Sequence, residues 1–192
     1  HDTNRGIAAA LATGFRAATH DVVASIDSDC TYDPVQLADM LPRLADGVAM
    51  VTASPYHPQG RVLNVPAWRL HISRAASWIY GRLLGNKLHT YTSCFRVCRR
   101  SAVVDQPLRH EGFVGVAELL WRVDRAGERI VEHPAVLDVR RFGQSKMRVL
   151  SAGMAHLRLL AVIACCRIVD RFGPSERKPR TPDVPVAGKP VR

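Results

Sequence analysis

Four segments within the first 53 residues alternate helix, strand, helix, strand, and the first strand runs directly into Asp27-Ser28-Asp29. Ile7, Leu11, Phe15 and Ala18 recur at helical spacing over residues 4–18, with Asn4 placed to cap. Val22 to Ile26 forms a short apolar strand. Asp33 as N-cap and Pro34 at the first helical position open a second helix that puts Leu37, Met40, Leu41 and Leu44 on one face. Val48 to Ala53 is the next strand. Parallel strands need a crossover element between them, so this order predicts an α/β protein whose mixed, mostly parallel sheet is flanked by helices.

Further along, residues 54–61 are rich in turn formers. Pro66 to Leu84 predicts a helix stopped at Gly85, with Trp68, Ile72, Ala75, Ile79 and Leu83 on one face and Arg69, Arg74 and Arg82 off it. That face suits a core contact or a membrane surface. Residues 94–98 read as a strand, and Val116 to Arg125 as a helix closed by Gly127. Residues 129–139 read as a strand that Pro134 confines to an edge or a kink. Ser145 to Asp170 is helical, and the Pro- and Lys/Arg-rich tail from Pro174 is expected to be disordered.

The 192 residues suffice for one domain and a modest core. The chain starts at His1 and directly on helical sequence, which reads as an N-terminal truncation. No signal peptide is visible. The most apolar run, Leu159 to Cys166, lies between Arg158 and Arg167. It is far shorter than the about 20 residues of a span, so no membrane span is expected. Five cysteines match no disulfide or zinc spacing, and Cys165 and Cys166 are expected to be buried small hydrophobes in a reducing, cytosolic setting. Residues 1–60 carry three Arg against seven Asp, whereas residues 61–109 carry nine Lys or Arg against one Asp. An acidic front beside a basic middle is no uniform nucleic-acid coat. It fits a cation-binding end next to a surface for phosphates or anionic lipid, or else a solvated basic face.

Three constellations carry candidate chemistry. Asp27 and Asp29, one residue apart at a strand end, offer hard oxygen ligands to Mg²⁺ or Mn²⁺, with a diphosphate supplying further oxygens. The same residues also read as a polar turn, or, as Asp27-Ser28-Asp29-Cys30-Thr31, resemble the first motif of haloacid dehalogenase-type phosphatases with Asp27 as nucleophile. That chemistry needs a downstream acidic pair beside a strand, and beyond Asp46 the acidic residues stand singly. Arg140-Arg141-Phe142-Gly143-Gln144-Ser145-Lys146 reads as a phosphate clamp or a basic turn. Thr90-Tyr91-Thr92-Ser93-Cys94-Phe95-Arg96 offers hydroxyls and a guanidinium to a phosphate or sugar, or is the polar face of a strand. Glu118 and Glu132 are isolated carboxylates.

The order of these pieces resembles family-2 glycosyltransferases of the dolichol- or polyprenol-phosphate sugar synthase branch. The likeness runs from about residue 4 to residue 160: Asn4 to Leu11, His20-Asp21-Val22-Val23 leading to Asp27-Ser28-Asp29, Tyr91 to Arg100, Gly112-Phe113 with Glu118-Leu119-Leu120, Gly127 to Pro134, and Arg140 to Lys146. The resemblance implies a GT-A, Rossmann-like fold lacking its first strand or strands here. It divides the chain into a partial catalytic domain over 1–146, an amphipathic or apolar helix over 147–173 and a disordered basic tail over 174–192. It further implies a UDP- or GDP-linked sugar donor, a divalent cation at Asp27 and Asp29, and a lipid-phosphate acceptor met at the cytoplasmic membrane face. Arg140, Arg141, Ser145 and Lys146 would serve the donor diphosphate or acceptor phosphate, and Ser93, Arg96 and Arg74 the acceptor side. Asp29 would act with the metal, and Glu118 is the candidate base should the acceptor be a hydroxyl. Against the transferase stand the phosphatase reading and a non-catalytic nucleotide-sugar or membrane-surface binding remnant.

Overall fold

The computed structural model describes residues 1–110, 112–139 and 149–172. Chain order is α1 (Gly6–Ala17), β1 (Val22–Ser25), a short helical passage containing α2 (Leu37–Met40), β2 (Val48–Ser54), β3 (Arg61–Val62), α3 (Ala67–Leu83), β4 (Arg96–Arg99), α4 (Arg100–Val103), α5 (Val114–Arg125), β5 (Arg129–Pro134), β6 (Val136–Leu137) and α6 (Val149–Phe172). Four strands form the main sheet in the order β1-β4-β2-β5, and β3 pairs with β6 in a small second sheet. β2 and β5 are parallel, whereas β4 runs antiparallel to both β1 and β2. Three of the four strands therefore share one direction, and β4 is inserted between the two strands that the helical crossover joins.

Every residue of β2 is buried, because layers cover both of its faces. On one face α1, α3, α5 and α6 pack around Phe15, Met50, Tyr80, Leu120, Leu159 and Ile163. On the other, Tyr32, Met40, Leu44, Val51, Phe95 and Val97 form a second cluster. Neighbouring β4 residues split between them, Val97 facing one layer and Cys98 the other, as the two-residue period of a strand demands. β5 lies at the sheet edge, where Pro134 costs no ladder bond, and the strand breaks there before β6.

Several expectations are corrected. The second helix is a single turn flanked by 3-10 turns at Pro34–Gln36 and Leu41–Arg43. Asp33 does cap Val35, but Leu41 is 50% exposed because the passage is too short to keep one face inward. Asn4 accepts from Gly6 N–H, with Arg5 at the cap position itself. β4 begins at Arg96, two residues later than the strand read at 94–98. In α3 the fully buried residues are Ser77 and Tyr80, and Ile79 and Leu83 of the expected stripe pack partly buried against the core, while Trp68 and Ile72 are half-exposed, so only the C-terminal part of the stripe that periodicity selects meets the core. Cys165 is exposed and Cys166 only partly covered. The helix that holds the apolar run is longer than that run: Ser151–Asp170 is long and apolar enough to cross a membrane by length and composition alone, a test that a core helix also passes. Arg158 and Arg167 interrupt the apolar run without making the helix polar, and Leu159, Leu160 and Ile163 of the same helix join the core.

Candidate functional site

β1 stops at Ser25, and the chain turns through Asp27-Ser28-Asp29 with Cys30 in the left-handed region at φ 57°. Asp29 closes the turn on itself: its Oδ1 accepts from Thr31 N–H at 3.1 Å and from the Thr31 hydroxyl at 2.8 Å. The Thr31 carbonyl then accepts Asp138 N–H at 2.9 Å, which ties the turn to the chain just beyond β6. From the other side, Ser25 Oγ donates to the Cys94 carbonyl at 2.6 Å, holding the 90–95 loop against the strand end.

Between these loops lies a cleft of about 180 Å³ lined by Asp27, Thr31, Tyr32, Pro55, Tyr56, Ser73, Thr90, Thr92, Ser93, Cys94 and Leu137. It sits beyond the carboxyl ends of β1 and β2, where open α/β sheets bind ligands. A larger opening of about 470 Å³ lies at the opposite end of the sheet, around Asp46, Arg99 and Glu128. It lies at the amino end of β2, away from Asp27, the strand-end carboxylate that lines the smaller cleft, so the smaller cleft is the better candidate.

The cleft is built for oxygen-rich ligands. Thr90 Oγ1 lies 2.9 Å from Ser54 Oγ, and Ser93 Oγ accepts Phe95 N–H at 3.2 Å. Burial raises the Tyr32 phenol well above its ordinary range, so it stays a neutral hydroxyl. Burial, with the Asp27 carboxylate next, pushes the Cys94 thiol up to about 12, which rules out a thiolate at neutral pH. Two carboxylates with Thr31 beside them suit a hard divalent cation such as Mg²⁺ or Mn²⁺. Among the described residues no group of three or more His, Cys, Asp or Glu assembles. A cation held by Asp27 and Asp29 would take its other oxygens from the bound ligand and water.

The other candidate residues divide. Ser93 lines the cleft. Arg74 is exposed on α3, its guanidinium carbon 5.3 Å from the centre of the Tyr56 ring, which itself lines the cleft. Arg96 is 1% exposed and lies outside the lining: it donates to the carbonyls of Val116 at 2.8 Å and Tyr91 at 3.1 Å, bracing the cleft loop against α5. Its Nε has no partner, and burial lowers its pKa, with Asp27 among the groups that oppose the shift. Glu118 is also 1% exposed and outside the lining. Its two oxygens accept from Arg109 N–H, His110 N–H, the His110 ring and the Arg122 guanidinium. Burial would raise its pKa, but these donors together outweigh that and hold it below the usual carboxylate range. Such a carboxylate is a structural anchor, and a poor proton acceptor at neutral pH. Arg140, Arg141, Ser145 and Lys146 lie outside the described residues.

Tyr32, Tyr56, Ser73 and Leu137 are lining residues that sequence reading missed. Tyr56 alone carried a signal, as a residue just beyond the carboxyl end of a strand.

Residues 1–105 match the family described as glycosyl transferase family 2. The chain is 30% identical over 154 residues to a polyprenol monophosphomannose synthase of Mycolicibacterium smegmatis, covering 77% of this chain and 58% of the relative. It is 32% identical over 154 residues to an undecaprenyl-phosphate mannosyltransferase of Micrococcus luteus, covering 76% and 62%. The chain thus spans about three-fifths of the length of these relatives. Among solved structures, glucosyl-3-phosphoglycerate synthase from Mycobacterium tuberculosis with Mn²⁺, uridine diphosphate and phosphoglyceric acid superposes with TM-score 0.57 at 20% identity, over 89% of this chain and 56% of that one. The same enzyme with Mg²⁺ and uridine diphosphate gives TM-score 0.57 at 21% identity, over 84% and 54%. This likeness shows the fold, which is of the GT-A type.

Proposed function

The chain belongs to glycosyl transferase family 2, and on that premise we propose that it transfers a sugar, with inversion, from a UDP- or GDP-linked donor to a polyprenyl or dolichyl phosphate. Family membership replaces the phosphatase reading of Asp27. The observation that carries the proposal is Asp27, which lines a hydroxyl-rich cleft just beyond β1, with Asp29 outside the lining but bonded to Thr31, which does line it. The two bacterial relatives, a polyprenol monophosphomannose synthase and an undecaprenyl-phosphate mannosyltransferase, support the acceptor class.

In this reading Asp27 and Asp29 hold Mg²⁺ or Mn²⁺, which supplies charge neutralisation to a departing nucleotide diphosphate. The acceptor phosphate oxygen is already an anionic nucleophile, so no side chain need remove a proton. That is consistent with Glu118 being tied into structural bonds. Thr90, Thr92 and Ser93 present hydroxyls to sugar or phosphate, and Arg74 stands at the mouth for the acceptor. Arg140, Arg141, Ser145 and Lys146 would complete the phosphate contacts.

A lipid acceptor requires a membrane surface, and α3 offers one. Trp68, Ile72 and Trp78 are each at least half-exposed. The Arg69 guanidinium lies over the Trp68 ring, and that of Arg82 over the Trp78 ring. Aromatic rings with snorkelling arginines suit the headgroup layer. α6, packed on α3, exposes Met154, Leu157, Val162 and Ile168. Ser73 of the same α3 lines the cleft, so a surface-bound α3 would bring lipid phosphates to it, on the cytoplasmic face. Nucleic acid has no place in this reading.

The test is transfer from UDP- and GDP-sugars to short polyprenyl phosphates by the full-length protein with Mn²⁺. Asp27→Asn and Asp29→Asn should each lower transfer by roughly a hundredfold or more while the circular dichroism spectrum is kept. Undiminished transfer by both variants would overturn the metal assignment. Metal-dependent nucleotide binding without transfer would mark a binding module instead.

A further inference from the structure

Arg96 opens β4 in register with Ser25 of β1 and Thr52 of β2, at the strand ends beyond which the cleft lies. Its side chain turns inward, donating to the Val116 carbonyl at 2.8 Å and the Tyr91 carbonyl at 3.1 Å, and the residue is 1% exposed. Both acceptors are neutral. Among the described residues no carboxylate forms an ion pair with Arg96, and its Nε has no partner. Glu118 of α5, buried to the same degree, shows the contrast: Arg122 meets its charge at 2.6 Å. Holding two carbonyls needs N–H donors and no charge, so an amide would brace them without the cost of burying an unpaired cation. The charge itself therefore needs a reason. A guanidinium keeps its proton in any protein setting, and a charge this deep is little screened by salt. Its field reaches the cleft: it acts on Asp27, two residues beyond Ser25, and on Cys94, two residues before Arg96, and both line the cleft.

We infer that Arg96 is a fixed positive charge behind the cleft wall, which strengthens the hold on a nucleotide diphosphate and weakens the hold of Asp27 and Asp29 on a free divalent cation. The inference rests on the metal-diphosphate reading of this cleft and deepens it. Arg96 lies outside the lining, so it acts through its field and is not a catalytic residue. A single potential acts with opposite sign on ligands of opposite charge. Without the buried cation, the acidic turn would draw in a divalent ion by itself and repel a diphosphate. With it, the carboxylate field is partly offset, and the cation is held best when the diphosphate accompanies it. The same field favours the negative charge that grows on a departing diphosphate. A mere brace predicts something else: its loss loosens the 90–94 loop and weakens both ligands together.

The test uses the full-length protein and two kinds of probe, each applied alone. Mn²⁺ binding is read from its effect on water-proton relaxation. UDP and GDP are titrated by calorimetry with a chelator present, and the nucleotide that the native protein binds is followed. Arg96→Gln keeps N–H donors and removes the charge. In that variant Mn²⁺ affinity should rise and nucleotide affinity should fall, roughly tenfold each, the scale of a unit-charge interaction at an effective dielectric of about 20. Opposite shifts support the inference; any other pattern in the folded variant, a joint fall included, overturns it. If Arg96→Gln does not fold, Arg96→Lys decides at about pH 6, which favours the ammonium form. It breaks the guanidinium fork but keeps the charge: retained affinities for both probes support the inference, and a joint fall overturns it. Asp27→Asn measured in parallel separates the two ideas. Mn²⁺ affinity that Asp27→Asn leaves unchanged removes the metal assignment. Mn²⁺ affinity that Asp27→Asn lowers, without opposite shifts in Arg96→Gln, leaves the metal assignment standing and removes the role of the charge.

Discussion

Ser25 Oγ donates a 2.6 Å hydrogen bond to the carbonyl of Cys94, joining the last residue of β1 to the loop that forms the far wall of the cleft. Both residues are buried, so the carbonyl has no water to turn to. Ser25→Ala should cost about 1–3 kcal/mol of stability, the usual penalty for orphaning a buried acceptor. Because the loop then loses its tether two residues before Asp27, metal-dependent nucleotide binding should weaken as well. Chemical denaturation and nucleotide titration check the two effects separately; Ser25→Thr, which keeps the hydroxyl, should retain more of both.

The Asp29 turn depends on one hydroxyl. Thr31→Val removes the 2.8 Å bond to Asp29 Oδ1 but leaves the backbone bond from the same residue. The carboxylate gains rotational freedom, and the loss should appear as weaker cation affinity with stability changed by less than about 1 kcal/mol. Mn²⁺ titration in the presence of UDP reads it, and Thr31→Ser should restore most of the affinity.

α1 crosses α5 with no room for a side chain at Gly115. A Cβ there would collide with the Ala8 side chain and the His110 carbonyl. Gly115→Ala should therefore destabilise by at least about 1–3 kcal/mol. Ala8→Gly should rescue only part of the loss, because the carbonyl remains. A fall in the thermal midpoint, and its incomplete recovery in the double variant, is the outcome to measure.

Stability should fall in two steps on acidification. Burial, with a nearby charge second, lowers the pKa of His133 and of His156, so the unfolded chain binds protons more readily than the folded one. Their contribution is complete above the ordinary imidazole value of about 6.5 and declines as the pH drops below it. Glu118, held below the ordinary carboxylate range, adds a second loss that begins near about 4.3 and deepens toward its folded pKa. His156→Phe should reduce the upper step and also remove the Tyr80 hydroxyl's 2.9 Å partner. Glu118→Gln should remove the lower step at the cost of lower stability at neutral pH. Urea midpoints across the acid range test both.

Local pattern carried a large part of this protein. Helix–strand alternation, the strand that ends before Asp27, the edge position imposed by Pro134 and the hydroxyl-rich 90–93 loop are all written in residue order, because propensity, capping and two- or 3.6-residue periods act over a few neighbours. What only the tertiary structure decided involves residues distant in sequence. The insertion of β4 between β1 and β2 pairs residues more than 70 apart, Val22 with Arg99. Which part of α3 is buried depends on α6, since Trp68 and Tyr80 are equally eligible by hydropathy. Arg96 and Glu118 look like free polar groups in the sequence, yet each is buried with backbone partners that the chain supplies from elsewhere. Burial and cross-chain hydrogen bonding are properties of the assembled layers, and no local period encodes them.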